Sequence, residues 1–353
     1  MVASIPLEFS EGIMTPDSGT LYVMNCYGHF VSVVDGRSHE VVETIDLGET
    51  GTTGTGFLDC DLAITPDGRS LYVNQNQTDE IIAISTSGNQ VSRVIPVGRG
   101  PGWISISPDG RFAYVANIGG SGGNAEDISV ISTSSNEFVG AIPIPDRLRP
   151  LGMLVPPASR RGFAIGWDSS KIAVVDLTAR EVTKVVGTGL AQSGYAAARA
   201  SRDGSRLFVG YAGAGALIVV DTASLEVAAD LAVPLGPYPS FAVSPDSDLV
   251  YAALPDSDYV SVWDVPAAAV RETIPAGRFP GTVGMTPGGG TLYVANLIDE
   301  TVSAIDLETR EVAATIPVGS SPAIALVSPD GRFVYVANSD RTISVIDRQP
   351  QEP

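Results

Sequence analysis

The chain has two histidines, and one of them lies where it could transfer protons. His29 falls in the segment Asn25-Cys-Tyr-Gly-His-Phe30, which predicts a loop between two strands. An imidazole titrates near neutral pH, so a loop histidine that faces a ligand can act as a general acid or base. Glu11 and Asp59 are the carboxylates expected to share this task, and these three residues form the predicted catalytic set. The second histidine, His39, falls in a short turn and is expected to be solvated.

Arginine and aromatic side chains occur along the longest predicted loops. A guanidinium pairs with carboxylate and carbonyl groups, and aromatic rings line many small-molecule pockets. Arg99, Arg149 and Arg278 fall in corresponding connections of separate repeats, so the fold can bring them towards one point. The residues predicted to bind a substrate are Arg99, Trp103, Arg147, Arg149, Trp167, Tyr195, Tyr211, Tyr238, Arg278 and Phe279.

The sequence carries none of the short motifs that mark common cofactors or nucleophiles. Cys-x-x-Cys-His, His-Glu-x-x-His, Gly-x-Ser-x-Gly and Gly-Lys-Ser/Thr are all missing. We therefore expect a protein that works without a cofactor and has no redox role. No metal-binding residues are predicted. Mg²⁺ or Ca²⁺ held by Glu11, Asp59 or Asp61 is an open alternative, because hard cations prefer oxygen ligands, but no ligand spacing predicts it.

These residues interrupt a repeat that runs through the whole chain. Its clearest copies are Ser107-Pro-Asp-Gly-Arg-Phe-Ala-Tyr-Val-Ala-Asn117 and Ser328-Pro-Asp-Gly-Arg-Phe-Val-Tyr-Val-Ala-Asn338. Proline fixes φ and glycine accepts a positive φ, so Pro-Asp-Gly predicts a tight turn, and the alternating residues after it predict a strand. The second residue of each copy lies at Pro16, Pro66, Pro108, Pro156, Arg202, Pro245, Pro287 and Pro329. A spacing of about 42 residues is typical of one four-stranded propeller blade.

The strings Leu-Tyr-Val-Ala-Asn296 and Val-Tyr-Val-Ala-Asn338, with the Pro-Asp-Gly turn and Ile-Ser-Val-Ile-Asp347, resemble the YVTN family of β-propellers. The resemblance covers the whole chain and implies a propeller, for which seven blades would be expected. It implies no single activity, because the family and its relatives include lactonase-like enzymes, a streptogramin lyase, surface antigens and dehydrogenase subunits.

We predict an all-β fold, in which residues 1–353 form one closed β-propeller domain of four-stranded antiparallel blades. Eight copies of the repeat favour eight blades, with seven as the alternative. The segment 151–167 lacks the turn motif, but strand-like sequence follows it, so it counts as a full blade. The last copy lacks a fourth strand, whereas residues 1–7 match the fourth strand at 312–318. The N-terminal strand is therefore predicted to complete the last blade and close the ring.

Strand direction divides the connections between two faces of the propeller. One face carries the Pro-Asp-Gly turns. The other, which we call the variable face, carries the connections between second and third strands and those between successive blades. Length changes concentrate there, at 48–60, 117–127 and 187–195, together with Cys26 and Cys60. Because function usually lies where loops vary on a rigid scaffold, we expect the site at the central mouth of this face.

The counts of charged residues exclude some classes of binding partner. With 21 basic and 40 acidic residues, the net charge of −19 argues against binding nucleic acid or an anionic membrane. The chain has no run of 18 apolar residues and no signal-peptide pattern before the first strand. We expect a soluble, monomeric, cytoplasmic protein, with export as the alternative if a signal peptide was removed.

Two functions are compatible with these residues. The first is an enzyme of lyase, isomerase, cyclase or lactonase type that acts on a small organic substrate by acid–base chemistry, with arginines holding an anionic or carbonyl group. The second is a non-catalytic propeller scaffold that binds a protein or peptide on its variable face. A narrow mouth with ionisable groups pointing inward would favour the enzyme, and a broad, flat aromatic surface would favour the scaffold.

Overall fold

The computed structural model describes residues 1–9, 11–25, 28–48, 61–75, 78–119, 126–145, 148–167, 169–190, 196–212, 214–236 and 240–348. Within these residues, 32 strands form eight four-stranded antiparallel sheets. The helical content of this part of the chain is a single 3-10 turn at Pro255–Ser257, so no helix in it is long and apolar enough to cross a membrane. The chain is an all-β propeller of eight blades, as the repeat count predicted.

Each blade has one innermost strand next to the central channel. The innermost strands are β2 Glu11–Met14, β6 Leu62–Ile64, β10 Pro101–Ile106, β14 Pro150–Leu154, β18 Ala196–Ala200, β22 Phe241–Val243, β26 Pro280–Met285 and β30 Pro322–Val327. The second strands are β3 Thr20–Asn25, β7 Ser70–Gln75, β11 Phe112–Asn117, β15 Arg161–Gly166, β19 Arg206–Tyr211, β23 Leu249–Leu254, β27 Thr291–Asn296 and β31 Phe333–Asn338.

The third and fourth strands lie progressively further from the channel. The third strands are β4 Phe30–Asp35, β8 Glu80–Ser85, β12 Asp127–Ser132, β16 Lys171–Asp176, β20 Ala216–Asp221, β24 Tyr259–Asp264, β28 Thr301–Asp306 and β32 Thr342–Asp347. The outermost strands are β5 Val41–Asp46, β9 Gln90–Pro96, β13 Glu137–Pro143, β17 Glu181–Gly187, β21 Glu226–Leu231, β25 Ala269–Pro275, β29 Glu311–Pro317 and, in the last blade, β1 Ala3–Ile5.

The N-terminal strand closes the ring. β1 pairs antiparallel with β32, and Ile5 lies opposite Ile343. The side chain of Ile5 is 2% exposed and packs in the core between the last blade and the first. Blade four is also complete, because β14 to β17 form a full sheet although the turn motif is missing at 151–167. Both sequence predictions are confirmed.

The repeated turns are held by their own side chains. In six copies of the repeat, a Ser or Thr hydroxyl donates to the Oδ1 atom of the turn aspartate; between Ser107 and Asp109 the distance is 2.6 Å. The six pairs are Thr15–Asp17, Thr65–Asp67, Ser107–Asp109, Ser201–Asp203, Ser244–Asp246 and Ser328–Asp330. Bonds of this kind stabilise the ionised carboxylate, and they lower the pKa of Asp203 to about 2. These six acids are structural, so they account for part of the negative charge without any ligand.

The turn glycine also links one blade to the next. Gly110 has a φ of +71°, which glycine adopts without strain, and a side chain there would meet the ring of Pro66 at 3.3 Å. Gly331 has the same relation to Pro287 in the preceding blade. The Pro-Asp-Gly string therefore serves both the turn and the contact between blades.

A second link between blades corrects the expectation for His39. Tyr22 donates to Asn89 Oδ1 at 2.8 Å and Tyr72 donates to Asn136 Oδ1 at 2.6 Å, in each case from a second strand to the turn of the next blade. His39 occupies the corresponding turn position in blade one, so this link falls at the junction that closes the ring.

His39 is only partly exposed at that junction, and it is not the solvated bystander that the sequence suggested. Its Nδ1 atom lies 3.3 Å from the Tyr335 hydroxyl, and its ring packs edge-on against Phe333 at 4.7 Å. Burial lowers the pKa of His39, Asp347 and Asp35 oppose this, and Arg332 adds to it.

We expect the junction to weaken in mild acid. The folded pKa of His39 lies below the ordinary value of 6.5, so the unfolded chain takes up this proton first. The stability that neutral His39 contributes is complete above about pH 6.5 and is lost as the pH falls through the folded pKa. His39→Asn restores the amide used by the other blades. Its melting temperature should fall less than that of the wild type between pH 7.5 and pH 5, by roughly 1–2 °C. Equal falls in both proteins would contradict this.

Candidate functional site

Two carboxylates stand side by side where the innermost strands begin on the variable face. Glu11 is the first residue of β2, and Asp61 directly precedes β6 in the neighbouring blade. Each lies four residues before the first residue of its turn, so they occupy equivalent positions around the channel. The other six blades have uncharged residues at this position: Trp103, Leu151, Ala197, Ser240, Thr282 and Ile324. The pair is therefore a departure from the repeat.

Asp61 is fixed by the blades on either side. Its Oδ2 atom accepts the Ile104 N–H at 2.5 Å, and its own N–H donates to Asn74 Oδ1 at 2.7 Å. In blade six, Ser240 Oγ accepts the Val283 N–H at 3.0 Å in the equivalent bond. A neutral hydroxyl thus suffices for this link. Burial raises the pKa of Asp61 well above its ordinary value, and the charge of Glu11 raises it further.

Glu11 has an environment that also disfavours its charge. Burial raises its pKa, while the Gly12 N–H, 3.4 Å from Oε1, and the positive charge of Arg199 oppose the rise. Two neighbouring carboxyl groups with raised pKa values hold protons at a pH where ordinary carboxyl groups have lost them. Such a pair can contain both a proton donor and a proton acceptor.

Arg199 completes what we call the channel cluster, defined as Glu11, Asp61 and Arg199. It lies on β18 in blade five, which stands opposite blade one in a ring of eight. Other blades carry uncharged residues at this position: Ile13, Ala63, Ser105, Met153, Ala242, Gly284 and Leu326. The Arg199 side chain is accessible to water although protein surrounds it, as in an open channel. Within the described residues it forms no hydrogen bond and no ion pair within 4.0 Å.

Sequence reasoning placed Glu11 in the catalytic set but missed Arg199 and treated Asp61 only as an alternative metal ligand. A signal was present in both cases, because each is a charged residue at a position that is uncharged in most blades. Among the described residues, no group of three or more His, Cys, Asp and Glu side chains is arranged to hold a metal ion.

His29 lies in the connection after β3, on the variable face as expected. It has a φ of +55°, its carbonyl accepts the Leu47 N–H at 3.0 Å, and its side chain is partly buried. These contacts fix the backbone of the loop.

Arg149 and Trp167 lie together on the variable face of blade four. The guanidinium stacks over the indole with 4.8 Å between its carbon and the ring centre, and the Trp167 N–H donates to the Arg149 carbonyl at 3.0 Å. The Arg149 N–H donates to Glu126 Oε2 at 2.8 Å. A stacked guanidinium next to a carboxylate is an ordered polar surface that can contact a ligand.

The other two arginines differ from Arg149. Arg278 is 63% exposed and is held by Asp299, with Nε to Oδ1 at 2.6 Å and its N–H to Oδ2 at 2.7 Å. Phe279 beside it is 36% exposed. Arg99 is exposed, and its carbonyl accepts the Gly119 N–H. Arg99 and Arg278 thus lie on the outer part of the variable face, and the structure does not bring them into contact with the channel cluster.

Two predicted substrate-binding aromatics belong to the packing between blades. Trp103 lies on β10 with its ring against Gly152, where a side chain would meet it at 2.3 Å. Tyr211, at the end of β19, is 0% exposed and packs in the core between blades four and five. Asp59, Arg147, Tyr195 and Tyr238, like Cys26 and Cys60, lie outside the described residues.

Comparisons with known proteins support the fold. No protein-family model matches the chain. The uncharacterised protein YwhL of Bacillus subtilis is 25% identical over 329 residues, which span 79% of this chain and 68% of YwhL. The seven-bladed β-propeller protein Rv1057 of Mycobacterium tuberculosis is 26% identical over 125 residues, which span 34% of this chain and 30% of Rv1057. The present chain differs from Rv1057 in having eight blades.

Two solved structures share the architecture over nearly the whole chain. Hydrazine synthase of Kuenenia stuttgartiensis has a TM-score of 0.62 at 23% identity, covering 97% of this chain and 96% of its own. The dihydro-haem d1 dehydrogenase NirN, in complex with DHE, has a TM-score of 0.76 at 15% identity, covering 96% of this chain and 73% of its own. The fold is therefore one that proteins named as enzymes also use.

The comparison with NirN overturns the expectation of a cofactor-free protein. A propeller of this architecture occurs in a dihydro-haem d1 dehydrogenase. The expectation rested on missing sequence motifs for covalent haem, nucleotides and zinc. A ligand that is bound without a covalent link needs none of those motifs, so their absence carried less weight than the sequence analysis gave it.

Proposed function

We propose that the protein is a small-molecule enzyme that uses acid–base chemistry at the variable-face end of its central channel. The observation that carries this proposal is the channel cluster, in which two adjacent carboxyl groups face a guanidinium from the opposite blade. Lyase, isomerase, cyclase and lactonase reactions all need protons to be moved on an organic substrate, and they are the reaction classes we propose. Membership of the YVTN family, a cytoplasmic location and a monomeric state remain predictions.

The carboxyl pair supplies a proton donor and a proton acceptor from similar side chains. Ionising both Glu11 and Asp61 would place two negative charges close together where protein replaces part of their hydration, so the first ionisation makes the second harder. The pKa of Asp61 is raised well above its ordinary value by burial and by the negative charge of Glu11, whereas the Gly12 N–H and the charge of Arg199 favour the charged form of Glu11. We assign Asp61 as the group that donates the proton and Glu11 as its charged neighbour, which accepts one.

The residues of the outer variable face would guide the substrate to this cluster. The Arg149 side chain is ordered by stacking on Trp167, and its backbone N–H is held by Glu126, so the guanidinium can contact a ligand at a small cost in side-chain entropy. His29 and Asp59 remain predicted participants in proton transfer.

Infrared difference spectroscopy tests the carboxyl pair without a known substrate. At about pH 6, where ordinary carboxyl groups are ionised, the wild type should still show the C=O stretch of a protonated carboxylic acid. Glu11→Gln and Asp61→Asn should each change or remove this signal, and the exposed control Glu308→Gln should not. Ordinary titration of both carboxyl groups in the wild type would refute the proposed proton transfer and favour the scaffold function.

The likeness to NirN favours a second candidate, which is binding of a haem-type ligand. The described residues fit such a ligand in kind. His29 offers an imidazole that can bind iron, and Arg149 offers positive charge for an acidic group of a macrocycle. A haem-type group would supply electron-transfer or redox chemistry when bound, and the residues of this chain would hold and orient it.

A titration with hemin tests this second candidate. We expect a saturable shift of the hemin absorption band on adding the protein, and His29→Ala should weaken it by about tenfold or more, since removing one ligand costs at least 1.4 kcal/mol of binding free energy. His39→Ala is the matched control and should bind hemin like the wild type. A band that does not shift, or that shifts equally with His29→Ala, would rule out His29 as the ligand.

A further inference from the structure

Arg199 forms no hydrogen bond and no ion pair with any residue that the structure describes. Its guanidinium has five N–H donors, and no hydrogen bond or ion pair with a described residue uses any of them. Protein surrounds the side chain, and the resulting burial lowers its pKa. Glu11 contributes an opposing electrostatic attraction, so the two groups influence each other across the channel.

The two groups do not touch. An ion pair would require a nitrogen and an oxygen within 4.0 Å, and Glu11 and Arg199 form none. They belong to blades one and five, which face each other across the ring. Arg199 lies two residues before the first residue of its turn, and Glu11 lies four residues before its own turn. The backbone of Arg199 is therefore about 7 Å further along the channel from the variable face than that of Glu11. A water-accessible space thus separates an arginine from a carboxyl pair.

Keeping an arginine in this way costs free energy. A charged group that protein surrounds keeps less of its hydration than one on the open surface, even where water reaches it, and uncharged residues serve at this position in the other seven blades. Destabilising charges are typical of functional sites, where a ligand supplies the missing partner. The arrangement therefore points to an anion that completes the cluster.

Building on the proposed function, we propose that Arg199 binds the carboxylate of a small monoanionic substrate and so presents the rest of that molecule to Glu11 and Asp61. A planar carboxylate accepts two parallel N–H bonds from one guanidinium. A phosphate dianion would bring more negative charge than one arginine neutralises, next to two acidic side chains. The site therefore favours a monocarboxylate over inorganic phosphate.

Isothermal titration calorimetry with simple probes tests this assignment. We expect benzoate and pyruvate to bind the wild-type protein, and benzamide and inorganic phosphate to bind at least tenfold more weakly. Arg199→Met should weaken benzoate and pyruvate binding by about 10- to 100-fold, the range expected for losing a charge-assisted pair. Arg202→Met, which removes an exposed arginine three residues later, is the matched control and should leave binding unchanged.

Thermal unfolding separates a ligand-binding arginine from a structural one. Arg199→Met should melt at the wild-type temperature or above it, because the charge that it removes forms no ion pair with a described residue. If Arg199→Met does not fold, Arg199→Lys takes its place; it keeps the charge but lacks the planar fork, and should bind benzoate several-fold more weakly.

Three results would overturn the assignment: no carboxylate binding by the wild type, wild-type affinity in both Arg199 variants, or equal affinity for benzoate and benzamide. These results are independent of proton transfer. Glu11→Gln removes an acid and should keep or strengthen benzoate binding. If carboxylates bind through Arg199 while Glu11→Gln has normal activity, the substrate class stands and the proposed acid–base role fails.

Discussion

Replacing Glu11 with Gln is expected to lower the turnover of the protein's substrate by about 10²- to 10⁴-fold, the usual contribution of a positioned general acid or base. The amide has nearly the shape of the carboxylate and keeps an oxygen for the Gly12 N–H, but it cannot accept a proton. Initial rates with substrates chosen among the carboxylates that bind would measure the effect. The Michaelis constant should change far less than turnover, because Arg199 still holds the carboxylate.

The pH dependence gives this prediction a second readout. Burial raises the pKa of Glu11 above its ordinary value of 4.5, so the charged acceptor is lost at a higher pH than in a solvated glutamate. Activity that requires the acceptor should be complete above the raised pKa and fall as the pH falls through it. Glu11→Gln should lose this dependence, and Glu308→Gln should retain it. Wild-type turnover and an unchanged pH profile in Glu11→Gln would exclude Glu11 as the acceptor.

Deleting residues 1–7 is expected to lower the melting temperature by about 5 °C or more, the largest stability effect that we predict. The deletion removes β1, exposes the edge of β32 and uncovers the core around Ile5, which seals the last blade against the first. An open ring also loses the constraint that holds its two end blades together. Thermal unfolding followed by circular dichroism measures the change.

A matched pair of substitutions shows whether the strand acts through its packing. Ile5→Ala leaves a cavity and should destabilise the protein by about 2–5 kcal/mol. Ser4→Ala changes an exposed side chain of the same strand and should have little effect. Unaltered melting temperatures in the deletion and in Ile5→Ala would mean that ring closure does not depend on this strand.

The sequence specified the propeller because each blade repeats the same local rules. The Pro-Asp-Gly turn needs a positive φ at residues such as Gly110, and this requirement recurs in most blades, so the turns could be counted. Ring closure was predictable for the same reason, since residues 1–7 have the pattern of an outermost strand. Both features depend on short-range sequence that can be compared between copies.

The site was less predictable because it depends on which blades face each other. Arg199 is 188 positions from Glu11 in the chain, and only a ring of eight blades places blade five opposite blade one. The burial of individual side chains was equally hard to predict from the sequence. Tyr211 was predicted to bind a substrate, but its side chain is part of the core. His39 was predicted to be solvated because it lies in a short turn. The residue that covers it, Tyr335, belongs to the last blade, which is distant in the sequence.

A crystal structure of the protein with bound benzoate would test the central claim most directly. We predict that the benzoate carboxylate lies in the channel with both oxygens on the Arg199 guanidinium, and that its ring points towards Glu11 and Asp61. The carboxyl groups of Glu11 and Asp61 should remain in their present positions, with Asp61 still accepting the Ile104 N–H. Benzoate bound elsewhere, with Arg199 joined directly to Glu11 in an ion pair, would contradict the proposed site.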